Sequence, residues 1–128
     1  ALARRVGLSP PAVAERVRRL EEDGVLLGYR VQLERNKIGL PISAFLRLSC
    51  SGAKFQAIRR LATELPEVIE CHHITGDSCF LIKLVVPSVK SLEGLIERFR
   101  EHGEAESSVV LSTVTEQKSL IEAARNAL

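Results

Sequence analysis

The last two-thirds of the chain switches repeatedly between two hydrophobic periods, and this pattern constrains the fold more than any other feature. Strand-like alternation or continuous apolar character marks four segments, and helical spacing of apolar residues marks two. In chain order the strands are predicted at residues 42–50, 68–75, 79–86 and 107–115. The first helix is predicted at 54–65, and the second starts near Ser88 or Ser91 and ends before Gly103. The order βαββαβ predicts an α+β protein with a ferredoxin-like domain, in which two helices cover one face of a four-stranded antiparallel sheet.

The segment 79–86 is apolar at almost every position, so we expect it at the centre of the sheet. The sheet face without helices then carries one of two apolar sets, either Phe80, Ile82, Leu84 and Val86 or Leu81 and Val85. An exposed apolar face usually marks an interface, so we expect it to pair with a second copy of the chain across a two-fold axis. Ile82→Glu or Leu84→Glu should then yield monomers.

The charge is divided unevenly along the chain. Residues 1–40 hold eight Arg and Lys against five Asp and Glu, whereas residues 41–128 hold ten against eleven. A basic N-terminal segment followed by a nearly neutral remainder suggests that the N-terminal segment binds an acidic partner. An ordinary solvated helix face is the alternative explanation of the charge alone.

Two helices separated by a glycine turn are predicted in this basic segment. Residues 1–6 have helical spacing and end at Gly7, and Ser9 is placed to cap a second helix that runs from Pro10 to about Asp23. The apolar stripe of that helix is Val13, Val17 and Leu20. The pair matches a helix-turn-helix unit, whose second helix enters the major groove of double-stranded DNA. A plain helical hairpin with a basic face is the alternative.

On the helix-turn-helix interpretation, the DNA contacts come from the cap and the exposed face of the second helix. The expected residues are Ser9, Pro11, Ala12 and Glu15 in the first turns, with Arg16, Arg18 and Arg19 contacting phosphates or base edges. Residues 25–33 alternate and predict a strand after the helix. The domains are therefore residues 1–33 and 42–128, joined by a connector at 34–41.

Other chemistry is disfavoured by the sequence. Cys71, His72, His73 and Cys79 suggest zinc, but strand alternation puts His72 on the face opposite Cys71 and His73, so we expect no metal site and a buried Cys71. Nucleophile elbows and phosphate-binding glycine loops are absent, so we expect neither an enzyme nor a cofactor. The sequence has no apolar run long enough to cross a membrane, and its three cysteines suit a reducing cytoplasm.

Both segments together resemble the Lrp/AsnC family, the feast/famine transcription regulators. The resemblance rests on residues spread over the whole chain: Val6-Gly7-Leu8-Ser9-Pro10, Val13, Arg16-Val17, Arg19-Leu20-Glu21, Gly24-Val25-Leu26, Gly28-Tyr29, Thr75-Gly76-Asp77 and Phe80-Leu81-Ile82-Lys83-Leu84. It implies a three-helix DNA-binding domain whose first helix is missing here. It also implies dimers, often assembled to octamers or other multiples, and an amino acid bound between dimers near the Gly-Asp turn.

This resemblance places Thr75, Gly76, Asp77 and Cys79 near an effector. Gly76 can adopt a positive φ and bring backbone N–H groups close to a ligand carboxylate, and Asp77 can pair with an ammonium group. Family members often carry a second acidic residue after the turn, where this chain has Cys79. The expected function is a dimeric, effector-responsive DNA-binding regulator; the alternative is a ligand-binding oligomerisation module that does not bind DNA.

Overall fold

The computed structural model describes residues 2–127, which form two compact units with their boundary along the chain between Leu33 and Glu34. Ala1 and Leu128, which end the predicted domains, lie outside the described residues. Among residues 2–127, no helix is both long and apolar enough to cross a membrane. The helices and strands, in chain order, are α1 (Leu2–Val6), α2 (Pro10–Glu22), β1 (Ile42–Ser49), α3 (Phe55–Glu64), β2 (Val68–His73), β3 (Phe80–Val86), α4 (Val89–Arg100), β4 (Glu104–Val109) and α5 (Ile121–Ala127).

The second unit has the predicted βαββαβ order. Its four strands form one antiparallel sheet in the order β2-β3-β1-β4, so β3 lies in the interior of the sheet as expected. The core forms where the α3 and α4 side chains meet one face of this sheet. Its largest fully buried side chains are Phe80, Phe99, Leu46, Leu48, Ile58, Ile82, Leu84 and Val86.

The register of β1 with β3 decides which apolar set of β3 faces the helices. Leu46 pairs with Ile82 and Ala44 with Leu84, and both β3 side chains are 0% exposed in the core. The helix-free face, here called the second face, therefore carries Leu81 and Val85. The expectation that a charge at Ile82 or Leu84 would disrupt an interface is wrong, because these side chains lie beneath the helices.

The second face is more polar than its two apolar β3 residues suggest. By register, β1 contributes Ser43, Phe45 and Arg47 to it, and β3 contributes Lys83 between Leu81 and Val85. The ammonium of Lys83 lies 5.7 Å from the centroid of the Phe45 ring and 3.4 Å from a carboxylate oxygen of Glu116. Residues 110–117 thus run beside this face and line an open groove of about 590 Å³ with it.

The fourth strand ends earlier than predicted. The sequence favoured residues 107–115, whereas β4 spans Glu104–Val109. The N–H of Val110 still donates to the carbonyl of Ser43 at 2.9 Å, but the chain then leaves the sheet. By register the next positions would face Ile42 and Pro41, and proline has no N–H with which to continue a ladder. The apolar alternation in 110–115 therefore does not belong to this sheet.

In the first unit, α2 begins and ends with regular caps. The Ser9 hydroxyl accepts a hydrogen bond from the Ala12 N–H at 3.3 Å, as the sequence predicted. Gly24 adopts φ +75° after the helix, and the N–H groups of Val25 and Leu26 both donate to the Leu20 carbonyl, at 2.9 and 3.1 Å. The N–H groups of Val25 and Leu26 are thus bound to the end of the helix and are not available to pair with a neighbouring strand.

The strand predicted at 25–33 is absent from the structure across the residues it describes. A strand requires a hydrogen-bonded neighbour, and this single chain offers none to the segment. Its alternating apolar side chains remain exposed, with Leu27 at 95% and Val31 at 83%. The connector that follows contains a 3-10 turn, Arg35–Ile38, capped by Glu34 and closed by Gly39 at φ +81°.

Leu81 and Ile82 offer a matched test of the register. Ile82→Glu places a carboxylate in the core without a partner, so we expect it to abolish cooperative unfolding of the second unit. Leu81→Glu puts the same charge on the half-buried second face and should retain the wild-type circular dichroism spectrum and a cooperative thermal transition. Equal damage from both substitutions would contradict the assignment of the two faces.

Candidate DNA-binding surface and effector turn

The predicted DNA-contacting residues occupy the cap and the outer side of α2. Ala12, Glu15, Arg16 and Arg19 have the i, i+3, i+4, i+7 spacing of one helical face. Pro11, Arg16, Arg18 and Arg19 are exposed, whereas Ala12 and Glu15 are half-buried. The helix therefore presents its arginines to solvent, while two of the first-turn residues are partly covered.

Two of the three α2 arginines are engaged by carboxylates of the same helix. Arg18 forms a bidentate pair with Glu15, at 2.6 and 3.0 Å, and also contacts Glu22. The Nε of Arg19 lies 3.2 Å from Glu15. The guanidinium of Arg18 holds the pKa of the Glu15 carboxyl below its usual range, and Glu15 in turn raises the pKa of Arg18. Both acidic side chains thus offset positive charge on this surface.

Arg16 differs from its two neighbours. In the described part of the chain it forms no ion pair with any carboxylate, so its charge is not offset within the helix. The sequence pattern put Arg18 and Arg19 on the outward face and Arg16 at the edge of the buried stripe, and assigned the same kind of DNA contact to all three. The structure separates them into one arginine with an uncompensated charge and two that share Glu15.

The predicted effector turn is the exposed loop between β2 and β3. Its closing hydrogen bond runs from the Ile74 N–H to the Cys79 carbonyl at 2.8 Å. Gly76 adopts φ +106°, which confirms the expected positive φ. The side chains of Thr75 and Asp77 are exposed, and the Asp77 carboxylate makes no hydrogen bond or ion pair within the described residues. The loop therefore presents one uncommitted carboxylate beside a glycine.

Cys79 does not join these loop residues. It is half-buried and packs against the core of the second unit. Its thiol donates to the Cys50 carbonyl at 3.4 Å, and its N–H donates to the Leu48 carbonyl at 2.8 Å. The structure thus brings Thr75, Gly76 and Asp77 together on one exposed loop and directs Cys79 inward.

The Cys71-His72-His73 run lies along the edge strand β2. Cys71 pairs with Ile82 and His73 with Phe80, so these two share the helix-side face and His72 lies on the second face, as alternation predicted. The expectation of a buried Cys71 is wrong, because β2 is an edge strand and leaves it exposed. The described residues, which omit only the two terminal positions, contain no group of three or more potential metal ligands.

Sequence reasoning missed two open grooves in the second unit. One is the groove at the second face, and the other, of about 460 Å³, lies between α3 and β2 and includes Arg59, Cys71 and His73. Desolvation raises the pKa of the Cys71 thiol, and the positive charge of Arg59 partly opposes this effect. No motif could reveal these grooves. The walls of the first come from segments far apart in sequence, and the second depends on how α3 packs beside β2.

The chain combines two units. The first is a helix-turn-helix unit with arginines on its second helix, and the second is a βαββαβ unit with an exposed Gly-Asp loop. This is the architecture of a DNA-binding regulator with a sensing domain. Residues 1–26 match the family model for a winged helix-turn-helix DNA-binding domain, and residues 43–120 match the model for the Lrp/AsnC ligand binding domain. The two family matches thus lie in different units of the chain.

Individual relatives show the same relationship. The chain is 39% identical to the HTH-type transcriptional regulator YezC of Bacillus subtilis over 112 residues, which cover 88% of this chain and 79% of that protein. The structure of LrpC from B. subtilis has a TM-score of 0.85 at 28% identity, covering 91% of this chain and 83% of that one. A feast or famine regulatory protein from Mycobacterium tuberculosis, complexed with L-methionine, has a TM-score of 0.75 at 30% identity, with 92% and 82% coverage.

The chain therefore belongs to the Lrp/AsnC family of helix-turn-helix transcription regulators. This result confirms the resemblance stated from the sequence, and the α+β fold predicted from the βαββαβ order is confirmed as well.

Proposed function

We propose that this regulator acts in the cytoplasm, binds double-stranded DNA through α2 and responds to an amino acid bound at the second unit. The observation that carries the proposal is the presence in one chain of an exposed arginine face on a capped second helix and an exposed Gly-Asp loop on a ligand-binding fold. The L-methionine complex of the M. tuberculosis relative supports an amino acid as the class of effector.

We infer different roles for the Ser9 cap and the residues of α2 from the way in which helix-turn-helix units bind DNA. The N-terminal turns of α2 enter the major groove, so Ser9, Pro11, Ala12 and Glu15 contact base edges or the adjacent backbone. Arg16, Arg18 and Arg19 supply positive charge to phosphates. Because Glu15 and Glu22 offset the charge of Arg18, Arg16 contributes more to the sequence-independent part of the affinity.

We expect Arg16→Ala to weaken binding of the chain to all DNA sequences alike and to lower the slope of log K against log salt by about 0.9, the value for one lost phosphate contact. Arg18→Ala should also act uniformly but less strongly. Changes at Pro11, Ala12 or Glu15 should alter sequence preference instead. Fluorescence anisotropy with a specific and a random duplex at several salt concentrations measures both effects.

Lys90→Ala provides the control, because it removes an exposed cation from α4 in the other unit. Unchanged affinity, salt slope and preference across all the α2 variants would refute the assignment. DNA affinity that does not fall as salt rises would favour the alternative function, a ligand-binding oligomerisation module without DNA binding.

The effector proposal rests on the loop between β2 and β3. The positive φ of Gly76 leaves backbone N–H groups accessible to a ligand carboxylate, and Asp77 provides an unpaired carboxylate for an α-ammonium group. Cys79 adds no charge to the site and packs away from the loop. A free amino acid therefore has one charge-assisted partner here instead of two, and we expect weaker or differently selective binding.

Calorimetric titration of the twenty amino acids tests this site. We expect at least one to bind the wild-type chain and Asp77→Ala to weaken that binding about tenfold or more, since a charged hydrogen bond contributes roughly 1.5–3 kcal/mol. Glu93→Ala, which removes an exposed carboxylate from α4, should leave binding unchanged. Binding that survives Asp77→Ala would place the effector elsewhere, and no binding by the wild type would contradict an amino acid effector.

Exposed apolar surface favours a homodimer, with octamers or other dimer multiples as larger assemblies. The segment 25–33, with its alternating apolar side chains, has no strand partner among residues 2–127. On the second face, Phe45 and Leu81 remain half-exposed beside the groove lined by residues 110–117. A second copy can cover both surfaces through a two-fold axis.

Leu81→Glu should convert the assembly to a smaller species, because it places a carboxylate inside the proposed interface. Light scattering coupled to size-exclusion chromatography reports the mass. Val89→Glu is the matched control: it adds the same charge at the exposed start of α4, on the helix side of the unit. A folded Leu81→Glu variant with the wild-type mass would exclude the second face from the interface.

A further inference from the structure

Two of the three cysteines lie side by side at one edge of the core. Cys50 directly follows β1 and Cys79 directly precedes β3, and they are 29 positions apart in sequence. The Cys79 thiol donates to the Cys50 carbonyl at 3.4 Å, and both residues are half-buried against the same core cluster. The fold thus brings two thiols into one partly enclosed place.

The backbone around the two cysteines is closely packed. The hydrogen bond from the Cys79 N–H to the Leu48 carbonyl, at 2.8 Å, joins the two chain segments. On another side Gly103 is packed so closely that an added Cβ would lie 2.9 Å from the Cβ of Cys50 and 2.3 Å from the Ser49 carbonyl oxygen. The segment that carries Cys50 is therefore joined to Cys79 by a backbone hydrogen bond and packed closely against Gly103.

The electrostatic surroundings agree with direct contact between the thiols. Burial raises the pKa of the Cys50 thiol, and the neighbouring Cys79 thiol adds to that effect. The raised pKa lowers the thiolate fraction of Cys50 and makes it a poor first nucleophile, since the thiolate is the nucleophile. It is suited to react second, with a partner that has already been oxidised.

We propose that Cys50 and Cys79 form a reversible intramolecular disulfide when the chain meets a small peroxide. The Cys79 thiolate attacks hydrogen peroxide, the O–O bond breaks, and the products are a Cys79 sulfenic acid and hydroxide. The Cys50 sulfur then displaces the sulfenic oxygen as water, forming the S–S bond with loss of its proton. Overall, two thiols are oxidised and one peroxide is reduced to two waters. A dithiol reductant reverses the reaction.

Cys71 provides the internal comparison. Cys71 is exposed on β2, and its partner on the neighbouring strand β3 is Ile82 and not a cysteine. If accessibility to peroxide alone decided the outcome, Cys71 would be oxidised first. If the proximity of two thiols decides it, Cys50 and Cys79 become linked. The identity of the linked cysteines therefore distinguishes an ordered reaction from unspecific oxidation.

Peptide mapping after peroxide treatment tests the proposal. The folded Cys71→Ser chain is treated with hydrogen peroxide, alkylated, denatured and digested with trypsin without reduction. We expect a linked pair made of residues 48–54 and 61–83, two mass units below the sum of the reduced peptides. Dithiothreitol should abolish the link. The oxidised chain should unfold about 10–20 °C higher, because the bond closes a loop of nearly thirty residues in the unfolded state.

Cys79→Ala in the same background should give no linked peptide. If that variant fails to fold, mapping of the wild-type chain decides the question. Cys71 and Cys79 lie in the same tryptic peptide, so a further cleavage between residues 71 and 79 shows which of them is linked to Cys50. The proposal is overturned if both thiols remain alkylatable after peroxide treatment, if the link joins two chains, or if Cys79 stops at a sulfinic acid. Because none of these measurements involves an amino acid or DNA, failure here leaves the proposed function untouched.

Discussion

Pairing of β1 with β3 is the interaction on which the second unit depends. Each pair in this ladder that faces the helices contributes two apolar side chains to the core, including Leu46 with Ile82 and Leu48 with Phe80. Full burial of such a side chain is worth roughly 1.5–3 kcal/mol, so a shift of one residue in register would expose the whole set. The same ladder positions Lys83 on the second face and sets where the β2–β3 loop begins.

The order of elements in the second unit could be predicted from the sequence because periods of two and of about three and a half leave distinct patterns. The orientation of β3 could not, because Leu81 and Ile82 are equally apolar and only the partner strand decides between them. The end of β4 depends on Pro41, which lies far away in sequence, and the absence of a strand at 25–33 depends on the lack of a neighbour. These are all properties of pairing, which a single segment does not contain.

The candidate sites show the same distinction between local and distant information. The Ser9 cap and the positive φ of Gly76 follow from nearby residues and were predictable. The inward direction of Cys79 follows from contacts with β1 and was not. Within α2, the pairs of Arg18 and Arg19 with Glu15 have the i, i+3 and i, i+4 spacing of an ordinary helix, and this spacing distinguishes the two arginines from Arg16 in the sequence itself.

The β2–β3 loop is held by its ends and not by its tip. The backbone groups of Ile74 and Cys79 close it, whereas the exposed Thr75 and Asp77 side chains add nothing to the core. The tip can consequently accumulate substitutions with little effect on folding, provided that Gly76 or another residue tolerating its backbone conformation remains. Over evolutionary time, a lineage that keeps this scaffold can exchange one recognised molecule for another by small steps, each of which leaves a folded protein on which selection can act.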